Sequence, residues 1–137
     1  MLNLEPLAAL LKANATVFGS DYGSKAVKET LVKRLNKKIT STEQVKEYTN
    51  YNIYTGGESF IVDDDLDCSE SNILADHFLP PTGMEFGRES TPRAHRLYKV
   101  IDLTKKHTRS YFDFKGDTKS MLVEMRANKH YTMCSGQ

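Results

Sequence analysis

The sequence predicts an α+β fold with a mixed or antiparallel sheet, and the order of its patterns is the main reason. Helical patterns come first in the chain, and strand patterns with one further helix follow. The length of 137 residues is enough for one domain with a single modest core. We therefore divide this domain into a helical N-terminal part over residues 1–55 and a sheet core over residues 56–137.

Three helices are predicted in the N-terminal part. The first covers residues 4–12, where leucines recur on one side. The second covers residues 25–38, where an apolar residue recurs at every fourth position. The third begins at residues 40–42, and either Glu43 or Gln44 can close a capping box there. These helices carry no catalytic motif.

Strand patterns dominate the second part. A short apolar run over residues 59–62 predicts a buried strand that leads directly into a group of aspartates. Ser69 is a suitable cap for a helix that ends before Pro80 and Pro81. Alternating patterns predict the remaining strands over residues 95–101, 111–114, 121–125 and 131–133.

The charges are balanced in sum and uneven in distribution. Lys and Arg number 19 and Asp and Glu number 18, which excludes a uniformly basic nucleic-acid binder and an acidic disordered chain. Six basic residues against one acidic residue lie in residues 25–38, and seven against two lie in residues 88–109. Four aspartates lie between them in residues 63–67. This layout suits cations at the centre and polyanions on the flanks.

Composition also bears on location. No apolar run approaches the roughly 20 residues of a membrane span, and the first residues do not form a signal peptide. Cys68 and Cys134 are too few and too far apart for a disulfide framework or a zinc site. We therefore expect a soluble cytoplasmic protein without a membrane partner.

The aspartates are the first candidate site. On a strand, alternate residues face one side, so Asp63, Asp65 and Asp67 are expected to share a face. Carboxylates so placed repel one another unless a cation lies among them, and oxygen ligands favour Mg²⁺ or Mn²⁺ over zinc. The alternative is a solvated acidic loop, with at most a loose calcium site.

Glu124 is the second candidate, because it lies within a strand of apolar residues. A buried carboxylate needs a partner. One interpretation is an outward-facing side chain paired with Arg126. The other is a third metal ligand, since three carboxylates can hold the two divalent ions used in phosphoryl and nucleotidyl transfer.

A basic corner around His95 is the third candidate. Arg88 and Arg93 precede this histidine in a segment that also contains a glycine and a proline. Arginine forks match phosphate oxygens, and a histidine at the start of a strand is held firmly. This corner is expected to bind a triphosphate, although a structural role for His95 is the alternative.

Taken in order, these motifs resemble the catalytic core of the primase-polymerase (prim-pol) branch of the archaeo-eukaryotic primase superfamily. The segments that carry the resemblance are Asp65-Leu66-Asp67-Cys68-Ser69-Glu70, Phe78-Leu79-Pro80-Pro81-Thr82, Phe86-Gly87-Arg88, Pro92-Arg93-Ala94-His95-Arg96-Leu97-Tyr98 and Leu122-Val123-Glu124-Met125-Arg126. They match the family's acidic motif on a strand, its histidine motif and its later acidic strand. Members usually continue well beyond the last motif, so the chain is expected to be a truncated or compact form.

The resemblance implies an RRM-like core and a template-directed nucleotidyltransferase, a DNA primase or polymerase of a phage, plasmid or other mobile element. It further implies a role for each of the following residues. Asp65, Asp67 and Glu124 would be the catalytic metal-binding acids, Asp63 an additional ligand, His95 the phosphate contact, and Arg88 and Arg93 further contacts to phosphate or template.

The implied cofactor is Mg²⁺ or Mn²⁺. The implied partners are nucleoside triphosphates, a single-stranded DNA template and a helicase domain or subunit. Two other functions fit the same residues: a non-catalytic RRM-like module that binds single-stranded nucleic acid or a replication partner, and a metal-dependent nuclease.

Overall fold

The computed structural model describes residues 4–20, 38–103 and 121–134, and the backbone of residues 109–113. Two α-helices and nine strands lie in these ranges. In chain order they are α1 (Glu5–Lys12), β1 (Thr16–Ser20), β2 (Lys38–Ile39), β3 (Asn50–Tyr54), β4 (Ile61–Leu66), α2 (Ser69–Phe78), β5 (Glu85–Arg88), β6 (Thr91–Lys99), β7 (Arg109–Asp113), β8 (Met121–Arg126) and β9 (Tyr131–Met133). Neither helix in these ranges has the length and apolar character needed to cross a bilayer.

The strands form two antiparallel sheets. The first sheet has the order β2-β1-β3-β9, and the second has the order β5-β6-β4-β8-β7. Every strand pair in both is antiparallel. The predicted α+β class with an antiparallel sheet is therefore confirmed, with two small sheets rather than one.

A shared core joins the two sheets. Leu7 and Leu10 of α1 are buried, as the predicted first helix requires. They pack with Ile53 of the first sheet and with Ile61 and Leu97 of the second. Ile61 and Leu97 lie at one end of the face that the second sheet turns towards this core. The other end of the same face carries polar side chains.

The N-terminal part differs from the helical prediction. Thr16–Ser20 and Asn50–Tyr54 are strands that pair with each other, because their β-branched and aromatic residues fit a buried pleated surface. The third predicted helix is reduced to one 3-10 turn over Gln44–Glu47. The Gln44 side chain accepts the backbone N–H of Thr40 at 2.7 Å, but the N-cap of the turn is Glu43, which makes no side-chain capping bond, so the predicted capping box does not form. The predicted helix over residues 25–38 lies outside the described residues except for Lys38, which begins β2.

The strand β4 and the helix α2 lie close to their predicted positions and differ at their ends. β4 runs from the predicted apolar segment into three of the aspartates, so Asp63 and Asp65 lie on the strand as their expected shared face requires, and Asp67 follows its end. Cys68, rather than Ser69, is the N-cap of α2, and its Sγ accepts the backbone N–H of Ser71 at 3.3 Å. The helix ends at Phe78, before the two prolines, as predicted.

The remaining strands lie close to their predicted positions. β7, β8 and β9 overlap the three patterns assigned to them, and β6 begins four residues earlier than predicted. β5 is the strand that the sequence pattern misses, because its pairing with β6 contains an irregular register between Phe86 and Arg88. Gly87 lies at this irregularity, and a Cβ there would be 1.9 Å from the backbone oxygen of Thr91.

Gly87→Ala is therefore expected to destabilise the protein. The added methyl group would meet backbone atoms, so the hairpin must shift, and we expect the free energy of unfolding to fall by about 1–3 kcal/mol. Gly83→Ala is the matched control, because nothing lies within 4 Å of its Cβ position. Urea denaturation of both variants measures the difference, and equal effects would contradict the assigned hairpin packing.

Candidate metal centre

The register of β4 assembles the candidate site. Asp65 lies opposite His95 of β6 on one side and opposite Glu124 of β8 on the other. Residues directly opposite one another in an antiparallel sheet face the same side. Three residues that are far apart in the sequence are thereby brought to one face of the second sheet.

Three carboxylates form a group that can hold a metal ion. Oxygens of Asp65, Asp67 and Glu124 lie within 4.8 Å of one another, with Asp65 and Glu124 buried and Asp67 exposed. Oxygens on opposite sides of a hard divalent cation are about 4.2–5 Å apart, so the spacing fits such an ion. The donor set consists of oxygens alone, which also suits a hard cation.

Arg126 already supplies a positive charge to this group. Its Nη2 lies 2.5 Å from Asp65 Oδ2 and 2.8 Å from Glu124 Oε2, and its Nε donates to the same Glu124 oxygen at 3.0 Å. The sequence suggests this pairing only for an outward-facing Glu124. Instead Glu124 is buried, with 1% of its surface exposed, and still paired with Arg126. Their separation of two residues on one strand is the signal that relates them.

Asp63 is fully buried and lies beside the group of Asp65, Asp67 and Glu124 rather than within it. Its Oδ2 accepts the hydroxyl of Thr132 at 2.6 Å and lies 3.1 Å from His95 Nδ1. Its Oδ1 has no hydrogen-bond partner among the described residues. Thr132 belongs to β9 of the first sheet, and no local sequence pattern indicates that it reaches this site.

His95 is held from two directions. Asp63 contacts its Nδ1, and the ring of Phe86 stacks on the imidazole with the centroids 4.9 Å apart and the planes inclined by 19°. Burial lowers the pKa of His95, but the hydrogen bond to Asp63 and the charges of Asp63 and Asp65 outweigh burial, so that the pKa is raised. The charged form of the His95 ring is thus more stable, relative to the neutral form, than it is in a free histidine.

Burial also affects the aspartates themselves. It raises the pKa of Asp65, while the charges of His95 and Arg126 oppose the rise. Asp64 faces the other side of β4, where burial and the charge of Asp63 raise its pKa to about 6. Repulsion among these side chains is therefore a real cost of the site.

The arginines of the predicted basic corner do not join His95. Arg93 donates two hydrogen bonds to Asp76 of α2, at 2.9 and 2.8 Å, and also contacts Glu85. Asp76 also lies 2.8 Å from Arg96, whose register opposite Asp64 puts it on the face away from His95. Arg88 is exposed at the end of β5. The phosphate-binding roles of Arg88 and Arg93 stay predictions, and among the described side chains Arg126 is the arginine in contact with the carboxylates.

Comparison of the chain with protein-family models, with curated proteins and with solved structures finds no match.

Asp64→Asn is expected to stabilise the protein at neutral pH. A carboxyl group whose pKa is raised on folding holds its proton more tightly in the folded chain, so it weakens stability as pH rises from about 4 through 6. At pH 7.5 the substitution should add about 1–3 kcal/mol to the free energy of unfolding. Near pH 4 the gain should fall to a small fraction of this. Urea denaturation at both pH values measures the gain, and a gain that is independent of pH would contradict titration of Asp64 as its cause.

Arg126→Met is expected to destabilise the protein when metal ions are removed with a chelator. The buried Asp65 and Glu124 would lose the charge and the hydrogen bonds of Arg126, which costs about 3 kcal/mol. Millimolar Mn²⁺ should restore part of this loss, because it binds the folded chain alone. Lys46→Met is the matched control, since Lys46 pairs with Glu43 on the exposed surface and should cost less than about 1 kcal/mol. Thermal unfolding with and without Mn²⁺ measures both.

Proposed function

We propose that this chain is a metal-dependent nucleotidyltransferase of the primase-polymerase type, with Mg²⁺ or Mn²⁺ as its cofactor. The observation that carries the proposal is the group of Asp65, Asp67 and Glu124 on one face, with His95 beside it. Nucleotidyl transfer requires carboxylates that hold divalent ions, and the phosphates bind to those ions. The prim-pol-like motifs of the sequence supply the same residues in the same roles.

The reaction joins a nucleoside triphosphate to a 3′-hydroxyl on a single-stranded DNA template. The hydroxyl oxygen forms a bond to the α-phosphorus, the bond to pyrophosphate breaks, and the hydroxyl proton passes to solvent. Bound divalent ions supply the positive charge that activates the hydroxyl and stabilises the leaving pyrophosphate.

The side chains of this chain supply position and charge. Asp65 and Glu124 are fixed by their places on neighbouring strands, and Asp67 adds an accessible carboxylate directly after β4. Arg126 keeps the two buried carboxylates together before any ion arrives. His95, in its charged form, donates a hydrogen bond to a phosphate oxygen of the triphosphate.

The second sheet with α2 is the part that we assign to the RRM-like primase core. Its central strand carries the aspartates, and the hairpin of β5 and β6 carries His95. α2 packs on the strands β4, β6 and β8. Basic flanks would contact the template, and a helicase domain or subunit would act with this core in the replication of a mobile element.

A second function is favoured by the contacts of Arg126. Its guanidinium already neutralises Asp65 and Glu124, so the same cluster is stable as a salt bridge within a module that only binds nucleic acid. Such a module needs no divalent ion.

Asp67→Asn is the sharpest test of the enzyme, because Asp67 is exposed and its substitution should not disturb folding. We expect Mn²⁺-dependent primer extension by the wild-type chain, and a loss of about 100-fold or more in the variant, since a ligand charge is removed from the reacting centre. Asp64→Asn is the matched control, an aspartate of the same segment that faces the other side of β4, and it should keep its activity. Gel analysis of a labelled primer with each triphosphate measures this.

Three outcomes would contradict the proposal. Extension that survives both Asp65→Ala and Asp67→Asn would show that the cluster is not catalytic. Calorimetry in which Mn²⁺ has no effect on nucleotide affinity would favour the binding module. Degradation of the oligonucleotide without any triphosphate would favour the nuclease.

A further inference from the structure

His95 uses one of its two ring nitrogens to contact a buried aspartate. Its Nδ1 lies 3.1 Å from Asp63 Oδ2, and its side chain is 20% exposed while that of Asp63 is 0% exposed. The same nitrogen is 3.4 Å from Asp65 Oδ1. Among the described residues Nε2 makes no hydrogen bond or ion pair with protein, so Nε2 is the nitrogen left for a ligand.

Asp63 is itself held rigidly. It lies on the central strand β4, where Leu97 and Arg126 are its partners on the two sides. The hydroxyl of Thr132 donates to the oxygen that faces His95, at 2.6 Å. A carboxylate fixed in this way by two sheets can determine the direction of the ring that donates to it.

The imidazole ring has a second constraint. Phe86 stacks on it with an interplanar angle of 19°, which limits tilting of the ring, while Asp63 limits its rotation. Together the two contacts restrict the orientation of the ring. Precise orientation of this kind is what a phosphate contact needs, since a hydrogen bond weakens steeply when it is misaligned.

The sequence predicts a different role for Asp63, that of an additional metal ligand. The carboxylate group that meets within 4.8 Å consists of Asp65, Asp67 and Glu124, and Asp63 is not part of it. Oδ2 of Asp63 is taken up by Thr132 and His95. Oδ1 has no hydrogen-bond partner among the described residues, so the metal role needs an experimental test of its own.

We propose that Asp63 is a positioning residue for His95: its carboxylate accepts a hydrogen bond from Nδ1–H and thereby directs Nε2 towards the phosphates of a nucleoside triphosphate. The identity of this ligand rests on the proposed function. The Asp63–His95 contact itself is independent of it.

The first test needs neither activity nor a ligand. In metal-free protein at alkaline pH, where histidine side chains are neutral, nitrogen NMR should show His95 with its proton on Nδ1 and with Nε2 bare. In Asp63→Ala the ring should change to the mixture of forms of an unrestrained histidine. Asp64→Ala is the matched control and should leave His95 as it is. A wild-type proton on Nε2 overturns the positioning role, whether or not the variant folds.

The second test separates positioning from metal binding. The amide oxygen of Asp63→Asn can still accept from Thr132 and His95, but its neutral side chain is a poor ligand for a cation. Positioning predicts an affinity for Mn²⁺ within about 3-fold of wild type in both Asp63→Ala and Asp63→Asn. Nucleotide affinity in the presence of Mn²⁺ should fall about 10-fold in Asp63→Ala and recover in Asp63→Asn.

The failures of the two proposals are distinguishable. A loss of Mn²⁺ affinity in both variants overturns positioning and makes Asp63 a metal ligand. A wild-type chain that binds no nucleotide with Mn²⁺ overturns the proposed function and the assigned ligand, whereas the NMR result decides on the contact between Asp63 and His95 by itself.

Discussion

The antiparallel register of β4 between β6 and β8 is the constraint on which the site depends. Asp65 has His95 opposite on one side and Glu124 opposite on the other, and a slip of one residue would turn Asp65 to the face of α2. The apolar residues Ile61 of β4 and Leu97 of β6 help to fix this register from the far end, because both pack in the core shared with the first sheet. Packing at one end of the strand thus places charge at the other.

Burying three carboxylates on one face is costly, and the neighbouring donors offset this cost. Asp63, Asp65 and Glu124 are all buried, and burial raises the pKa of Asp65. Arg126 lies 2.5 Å from Asp65, 2.8 Å from Glu124 and 3.6 Å from Asp63, and His95 reaches both aspartates. Each donor serves more than one acid, so removal of either leaves a buried charge without its partner.

The sequence is informative about the acids and less so about what surrounds them. Asp65 and Glu124 can be related from motif order, because each lies on a recognisable strand. Thr132 could not be found in this way, since it comes from the other sheet by a contact 69 residues away along the chain. Arg93 illustrates the converse. An arginine near a histidine in sequence indicates phosphate binding, but Asp76 on α2 takes up its guanidinium, and only tertiary packing decides between the two.

Arg126 has a consequence for any ion that binds at this site. A divalent cation must share or displace the guanidinium that lies 2.5 Å from Asp65 and 2.8 Å from Glu124. Displacement releases a positive charge on the face that holds His95, at the moment when the ion arrives. Asp63, whose Oδ2 lies 3.6 Å from Nη1 of Arg126, is one acid that the guanidinium would still meet, and under the proposed function a triphosphate would supply more negative charge. Under the proposed function, the ion pairs that stabilise the metal-free cluster would favour binding of ion and triphosphate together over binding of the ion alone.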